Sequence, residues 1–253
     1  MDCIPGVFRG AGRVAAALEP VMDYSWAWYE VSPFSAQGQR NLSFMLEGLL
    51  PTLSVSLAAF GVSIALGLVI ALLGFIPWKP AKILNRVWVE LFRSIPFLVM
   101  ILWVYYGLPI SIGIDLNIFS AAVVALALTD SAFEAEIFRG GIQSIGKDQL
   151  ETARSLGLTP GQTMVSVVLP QAIRRILPPL GNQFVYMLKI SSLASVIGFA
   201  ELTRKANELT LIKYRPLEIY TVLILEYLAL ILLASWLVRR LEARLGSSQE
   251  GHG

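Results

Sequence analysis

Asp130 and Glu134 stand four residues apart in an otherwise apolar stretch, so on a helix both carboxylates fall on one face. Counted from Ile118 at 1.5 Å per residue, Asp130 lies ~18 Å along that helix, well inside a bilayer. Ionisable groups at such depth are costly and mark candidate functional sites. Lys189, in the next apolar stretch, supplies the opposite charge, with Ser191 and Ser192 beside it. Two acids and a base suit a zwitterionic solute, the carboxylates taking its ammonium and Lys189 its carboxylate. The same three charges would also serve as an internal ion-pair network that packs helices together, and both readings stand on sequence alone. Catalysis has little to build on. His252 is the only histidine and Cys3 the only cysteine, so no Ser, His and Asp set, metal site or internal disulfide is expected.

The elements that carry these residues are membrane helices. The 253 residues are 55% hydrophobic and 15% charged, with a mean hydropathy of +0.65, too apolar for a soluble domain. A net charge of +2 gives no reason to expect nucleic acid. Glu19, Pro20 and Asp23 interrupt any signal-peptide core in the first forty residues. Five segments approach the roughly 20 apolar residues that cross hydrocarbon: Thr52 to Ile76, Ile95 to Leu108 with a possible start near Val87, Leu116 to Phe138, Leu180 to Phe199, and Ile219 to Val238. The expected fold is therefore all-α, a polytopic membrane protein with five transmembrane helices. Thirteen Lys and Arg residues then share one side and seven the other, which puts the N-terminus outside and the C-terminus inside. Tyr24, Trp26, Trp28, Tyr29 and Phe34 form an aromatic belt or an interfacial anchor on the outer side.

The longest polar interruption, between Arg139 and Leu177, falls on the inner side and reads as two short helices. Asp148 and Glu151 have the spacing of a capping box, and Gly157 closes the first helix. Thr159 caps the second, with Pro160 at its first position and Gln162 at its third, and that helix runs to Pro170. Gly181 and Asn182, after Pro178 and Pro179, are expected where the chain turns into the fourth span. GIQSIGKD at Gly141 to Asp148 falls short of a phosphate-binding loop. Asp148 replaces the needed Ser or Thr, and a membrane helix, not a strand, precedes it.

Here the sequence resembles a known family. ETARSLGLTPGQTMVSVVLPQA is similar to the EAA loop of ABC-transporter permeases, with Glu151, Ala153, Gly157, Leu169 and Pro170 at its signature positions and Thr152 in place of the usual alanine. VELFRSIPFLVMILWVYYGLP, SAFEAEIFRGGIQSI and RPLEIYTVLILEYLALILLASWLVRRLE resemble the polar amino-acid uptake branch, so the likeness spans residues 43 to 245. Ile190 stands where the family segment usually has Asp after the lysine.

The resemblance implies a type I importer permease fold that carries a polar amino acid across a bacterial cytoplasmic membrane. It implies that the loop within 139–177 is a coupling element seated on a separate nucleotide-binding subunit. That subunit would hold ATP and magnesium, leaving this chain without a cofactor. It further implies a second permease subunit, identical or not, and an extracytoplasmic solute-binding protein, which the Glu201 to Glu218 side would face. The expected organisation is an N-terminal segment over 1–42, a permease domain over 43–245 in contact with lipid, and a tail over 246–253. A secondary transporter or channel would show internal repeats, and none is evident.

Overall fold

The computed structural model describes residues 24–246, in which every regular element is helical. Cys3, Arg9, Arg13, Glu19, Pro20, Asp23 and His252 lie outside the described residues, as do most of the N-terminal segment and the tail from 247.

Short polar side chains set several helix starts. α1 (Ala36–Leu46) begins on Ser35, whose hydroxyl accepts the Gly38 N–H at 2.9 Å. α2 (Leu49–Phe75) follows with no charge along its length. α3 (Lys79–Ser94) and α4 (Phe97–Ile112) meet at 99°. Pro96 lacks an N–H and disfavours the helical conformation at Ile95, which is extended at φ −84 and ψ 124. The helix therefore breaks there, and the apolar run expected for the second span opens a new helix at Phe97. Val87 to Ser94, considered as its beginning, belongs to a different helix.

α5 (Ile118–Gln143) starts on Asn117, whose side chain accepts the Ser120 N–H at 2.8 Å. α6 (Lys147–Ser155) is short. α7 (Pro160–Ile197) is long and tightens to a 3-10 turn over Ser191–Ile197. α8 (Leu202–Lys213) starts on Glu201, whose carboxylate accepts the N–H groups of Thr203 and Arg204 at 2.8 and 2.7 Å. α9 (Pro216–Gly246) completes the chain. By length and composition α2 together with α1, α5 and α9 can each cross a membrane, and the number rises to five if α3 with α4 and α7 with α8 each count as one bent span.

α7 corrects the expected fourth span. Pro178 and Pro179 lie inside the helix, and neither they nor Gly181 and Asn182 form a turn. Gly181 is instead a contact point with α9, since a Cβ there would fall 2.3 Å from Val238 Cγ1. Pro170 does not end the preceding helix either. The turn Met164–Val168 is a π turn, with the Leu169 N–H reaching back to the Met164 carbonyl, and Pro170 comes next. Trp103–Gly107 repeats the device in α4, with the Leu108 N–H on the Trp103 carbonyl ahead of Pro109. The wider turn relieves the clash between a proline ring and the carbonyl four residues back, so the helix continues.

α5 is the centre of the bundle, packed against α2, α3, α4 and α7. Its buried face is built from small residues, among them Ala121, Ala122, Ala125 and Ala132, each with no exposed surface. Small faces let helices approach closely where no hydrophobic effect drives them together. α9 lies at the edge against α7 and α8 and exposes Ile224, Leu232 and Leu237, as a lipid-facing helix does. At the α8 end the segment before α1 is strapped down. The buried Glu218 carboxylate accepts the Ala27 N–H at 2.8 Å and the Tyr24 hydroxyl, and Lys213 pairs with Glu30 at 3.1 Å. Trp26 and Trp28 stack at 5.9 Å, and both remain exposed, as do Tyr29 and Phe34.

Candidate functional sites

The turn between α6 and α7 forms an elbow at the end of the bundle opposite the strap. α6 starts on Gly146, whose backbone at φ −61 and ψ 147 is extended and whose missing side chain leaves the cap without a partner. The helix therefore begins before Asp148, and the expected capping box between Asp148 and Glu151 does not form. Asp148 sits in the first turn, where its charge suits the positive end of the helix, while Glu151 is exposed one turn further on.

Gly157 does close α6. At φ +76 it occupies the left-handed region, and its N–H bonds the Arg154 carbonyl at 2.9 Å while that of Leu158 bonds Ala153 at 3.1 Å. That pair of bonds is a Schellman motif. Thr159 then makes the expected capping box. Its hydroxyl accepts the Gln162 N–H at 3.4 Å, and its own N–H donates to Gln162 Oε1 at 2.9 Å.

The elbow is tied to the bundle by Gln171, which donates to Gln149 Oε1 at 3.5 Å, and by Arg175, which donates to the Ser144 carbonyl. Ala153 is buried inside the elbow, whereas Leu156 (76%), Val165 (64%) and Met164 (46%) are exposed, with Leu169 and Pro170 also at the surface. A hollow of about 170 Å³ opens between Leu150, Arg154, Pro160 and Met164. Apolar side chains gathered on an otherwise polar turn are the mark of an interaction surface.

The second site lies deep in the bundle. Asp130 Oδ2 accepts the Ser63 hydroxyl at 2.9 Å and Oδ1 accepts Gln183 Nε2 at 2.5 Å, so one side chain joins α2, α5 and α7. Glu134, one turn along α5, is fully buried against Gly67. Neither of its oxygens has a hydrogen-bond partner among the described residues. No ion pair involves either acid among those residues.

Lys189 is not brought to the acids. It is exposed on α7 and lines a separate groove of about 590 Å³ with Ser192, Thr203, Tyr227 and residues of α9. The Ser191 hydroxyl is buried and donates to the Leu188 carbonyl at 2.8 Å, and Ser192 donates to the Lys189 carbonyl at 2.8 Å. Sequence reasoning assigned neither Gln183 nor Ser63 to this site. The available signal was a polar side chain inside an apolar stretch, which each of them is.

Residues 63–247 match the family model described as binding-protein-dependent transport system inner membrane component. The chain is 39% identical over 208 residues to the probable glutamine ABC transporter permease protein GlnM of Bacillus subtilis (strain 168), covering 82% of this chain and 96% of that one. It is 40% identical over 210 residues to the glutamine transport system permease protein GlnP of Escherichia coli (strain K12), covering 81% and 94%. In a crystal structure of an amino acid ABC transporter with histidines, a chain 41% identical superposes with a TM-score of 0.76, covering 80% of this chain and 94% of that one. A chain of the MetNI methionine ABC transporter, 22% identical with a TM-score of 0.67, shares the fold. The all-helical architecture is thus that of a type I ABC importer permease, and the protein belongs to the family of binding-protein-dependent transport system inner membrane components.

Proposed function

We propose that this chain moves a polar amino acid across the cytoplasmic membrane as the permease of an importer driven by a separate ATPase. The observation that carries this reading is the elbow, a rigidly capped turn presenting Leu156, Met164 and Val165 at the end of the bundle where Lys and Arg are concentrated. Under the positive-inside rule that end is cytosolic, with the N-terminus outside and the C-terminus inside. Glu151, Gly157, Leu169 and Pro170 then shape or face the seat of the nucleotide-binding subunit, which holds ATP and magnesium, while Ala153 packs the elbow from within. Two permease chains pair around the solute path, and the strap end, with Glu201 to Glu218, faces a solute-binding protein. Copurification of an ATPase subunit with this chain, and loss of uptake on ATP depletion, test the assignment. Uptake that continues without ATP would rule it out.

Glutamine permeases at about 40% identity and the arginine transport system permease protein ArtQ of Bacillus subtilis (strain 168) at 33% support an amino-acid solute. Asp130 and Glu134 are proposed to attract its ammonium group. Lys189 and Ser192, in their separate groove, would meet the solute's carboxylate at another point on its path, because the ammonium and carboxylate of one α-amino acid share a carbon and cannot reach both places at once. Asp130→Asn and Glu134→Gln are each expected to raise the KM for uptake by about tenfold, the scale of one lost charge-assisted hydrogen bond. Unchanged kinetics in both variants would assign the acids to helix packing alone. Thermal unfolding in detergent identifies a variant that merely failed to fold.

A further inference from the structure

The seam between α3 and α5 holds two hollows that the transport reading does not use. The first, about 450 Å³, is lined by Lys82, Arg86, Glu90 and Arg93 of α3 and by Glu136 and Arg139 of α5. The second, about 400 Å³, is apolar, lined by Leu91 and Phe92 of α3, Ile95 at the bend, Trp103 of α4 and Leu128 of α5. Lys82, Arg86, Glu90 and Arg93 recur at spacings of three and four, which sets them in one stripe along α3. Glu136 is engaged by Arg139 through two bonds of 2.5 and 3.0 Å. Lys82, Arg86 and Arg93 make no ion pair among the described residues, and Glu90 is the one acid left to offset them in this hollow.

The order of the hollows along the seam matters more than either alone. On α5, Arg139 is near the elbow end and Leu128 is eleven residues deeper, ~16 Å at 1.5 Å per residue. α3 packs against it there, with the Trp88 indole N–H on the Ser131 hydroxyl at 3.1 Å and Arg93 over the Phe133 ring at 5.9 Å. Positive charge therefore comes first, at the membrane surface, and an apolar slot follows toward the midplane. That polarity matches an anionic amphiphile standing in the leaflet. A basic pocket between membrane helices is a known way to hold an acidic lipid head group.

We propose that the α3–α5 seam binds an anionic phospholipid of the elbow-side leaflet, its phosphate among Lys82, Arg86 and Arg93 and an acyl chain in the slot between Leu91 and Leu128. Trp103 lines the slot and reports occupancy. The permease with its ATPase is reconstituted in phosphatidylcholine vesicles containing a minor fraction of brominated phosphatidylglycerol or brominated phosphatidylcholine, and the Trp103 share of the emission is taken from the difference against Trp103→Phe. The brominated anionic lipid should quench that share at lower mole fraction than the brominated neutral one. Lys82→Gln, Arg86→Gln and Arg93→Gln should reduce the preference by about fivefold for each charge removed, and Arg86→Lys with Arg93→Lys should keep it. Equal quenching by the two lipids, or a preference that survives in the triple glutamine variant, overturns the proposal. So does a preference abolished by added inorganic phosphate, which would make this a free-anion site. Trp103 shielded from both lipids would place another protein chain over the seam and also refute it.

Discussion

A Gly157→Val chain should insert and fold as the wild type does, yet the solute-stimulated ATP hydrolysis of the partner ATPase in complex with it should fall about tenfold or more, while Gly157→Asn keeps most of it. No atom lies within 4 Å of where a Cβ would stand, so the penalty is not steric contact with neighbours. It comes from the backbone, because φ is +76 and a side chain in the left-handed region costs ~1–2 kcal/mol, with a β-branched residue at the upper end. Asn tolerates that region. The cheapest escape for valine is to open the Schellman turn, which swings α6 away from Thr159 and displaces Leu156 from Met164 and Val165. A shift worth 1.4 kcal/mol is tenfold in an equilibrium. The elbow stands clear of the buried clusters, so melting of the bundle in detergent should hardly change. Full stimulation in Gly157→Val would sink the coupling role of the elbow, and failure of Gly157→Asn would show that something other than strain is at work.

Gly67→Val is expected to destabilise the bundle by about 3 kcal/mol, the upper range for overpacking a tight core. An ideal Cβ at Gly67 falls 2.4 Å from Glu134 Cβ and 3.0 Å from the Ala135 nitrogen and the Ser131 carbonyl. These are backbone or backbone-proximal atoms that no rotamer change can move, so α2 and α5 must separate. Separation also stretches the Ser63 bond to Asp130, one turn away on the same face. Gly61→Ala, on the same helix with nothing within 4 Å, should be neutral or slightly stabilising, since alanine favours a helix. Thermal unfolding of the three proteins in one detergent makes the comparison. Equal melting of Gly67→Val and wild type would mean that the α2–α5 contact is looser than described.

What the sequence made legible was local. Thr159, Pro160 and Gln162 announce a capping box because all its partners lie within four residues, and Gly157 announces its turn because few other residues adopt that backbone conformation. Asp148 and Glu151 misled because they have the right spacing, yet Gly146 is already extended and starts the helix earlier. The prolines misled for a related reason. In isolation Pro170 ends a helix, but a π turn over Met164–Val168 absorbs its ring, and nothing in the residue types marks that turn in advance. Pro96 shows the other outcome, a bend of 99° with no π turn before it. The clasp of Asp130 by Ser63 and Gln183 was out of reach, because its partners lie 67 and 53 residues away and meet only through packing of three helices. The separation of Lys189 from the two acids arises in the same way, since sharing one stretch of chain with Gln183 did not fix which groove it faces.

The continuity of α7 has a mechanical consequence. Had the chain turned at Pro178–Asn182, a push on the elbow would have been absorbed by a joint before reaching the bundle. Instead one continuous helix joins Met164 at the elbow to Gln183 at Asp130, nineteen residues and ~28 Å apart with no loop between them. In the proposed importer α7 would act as a connecting rod, carrying a displacement of its exposed end to the clasp that holds α2, α5 and α7 together.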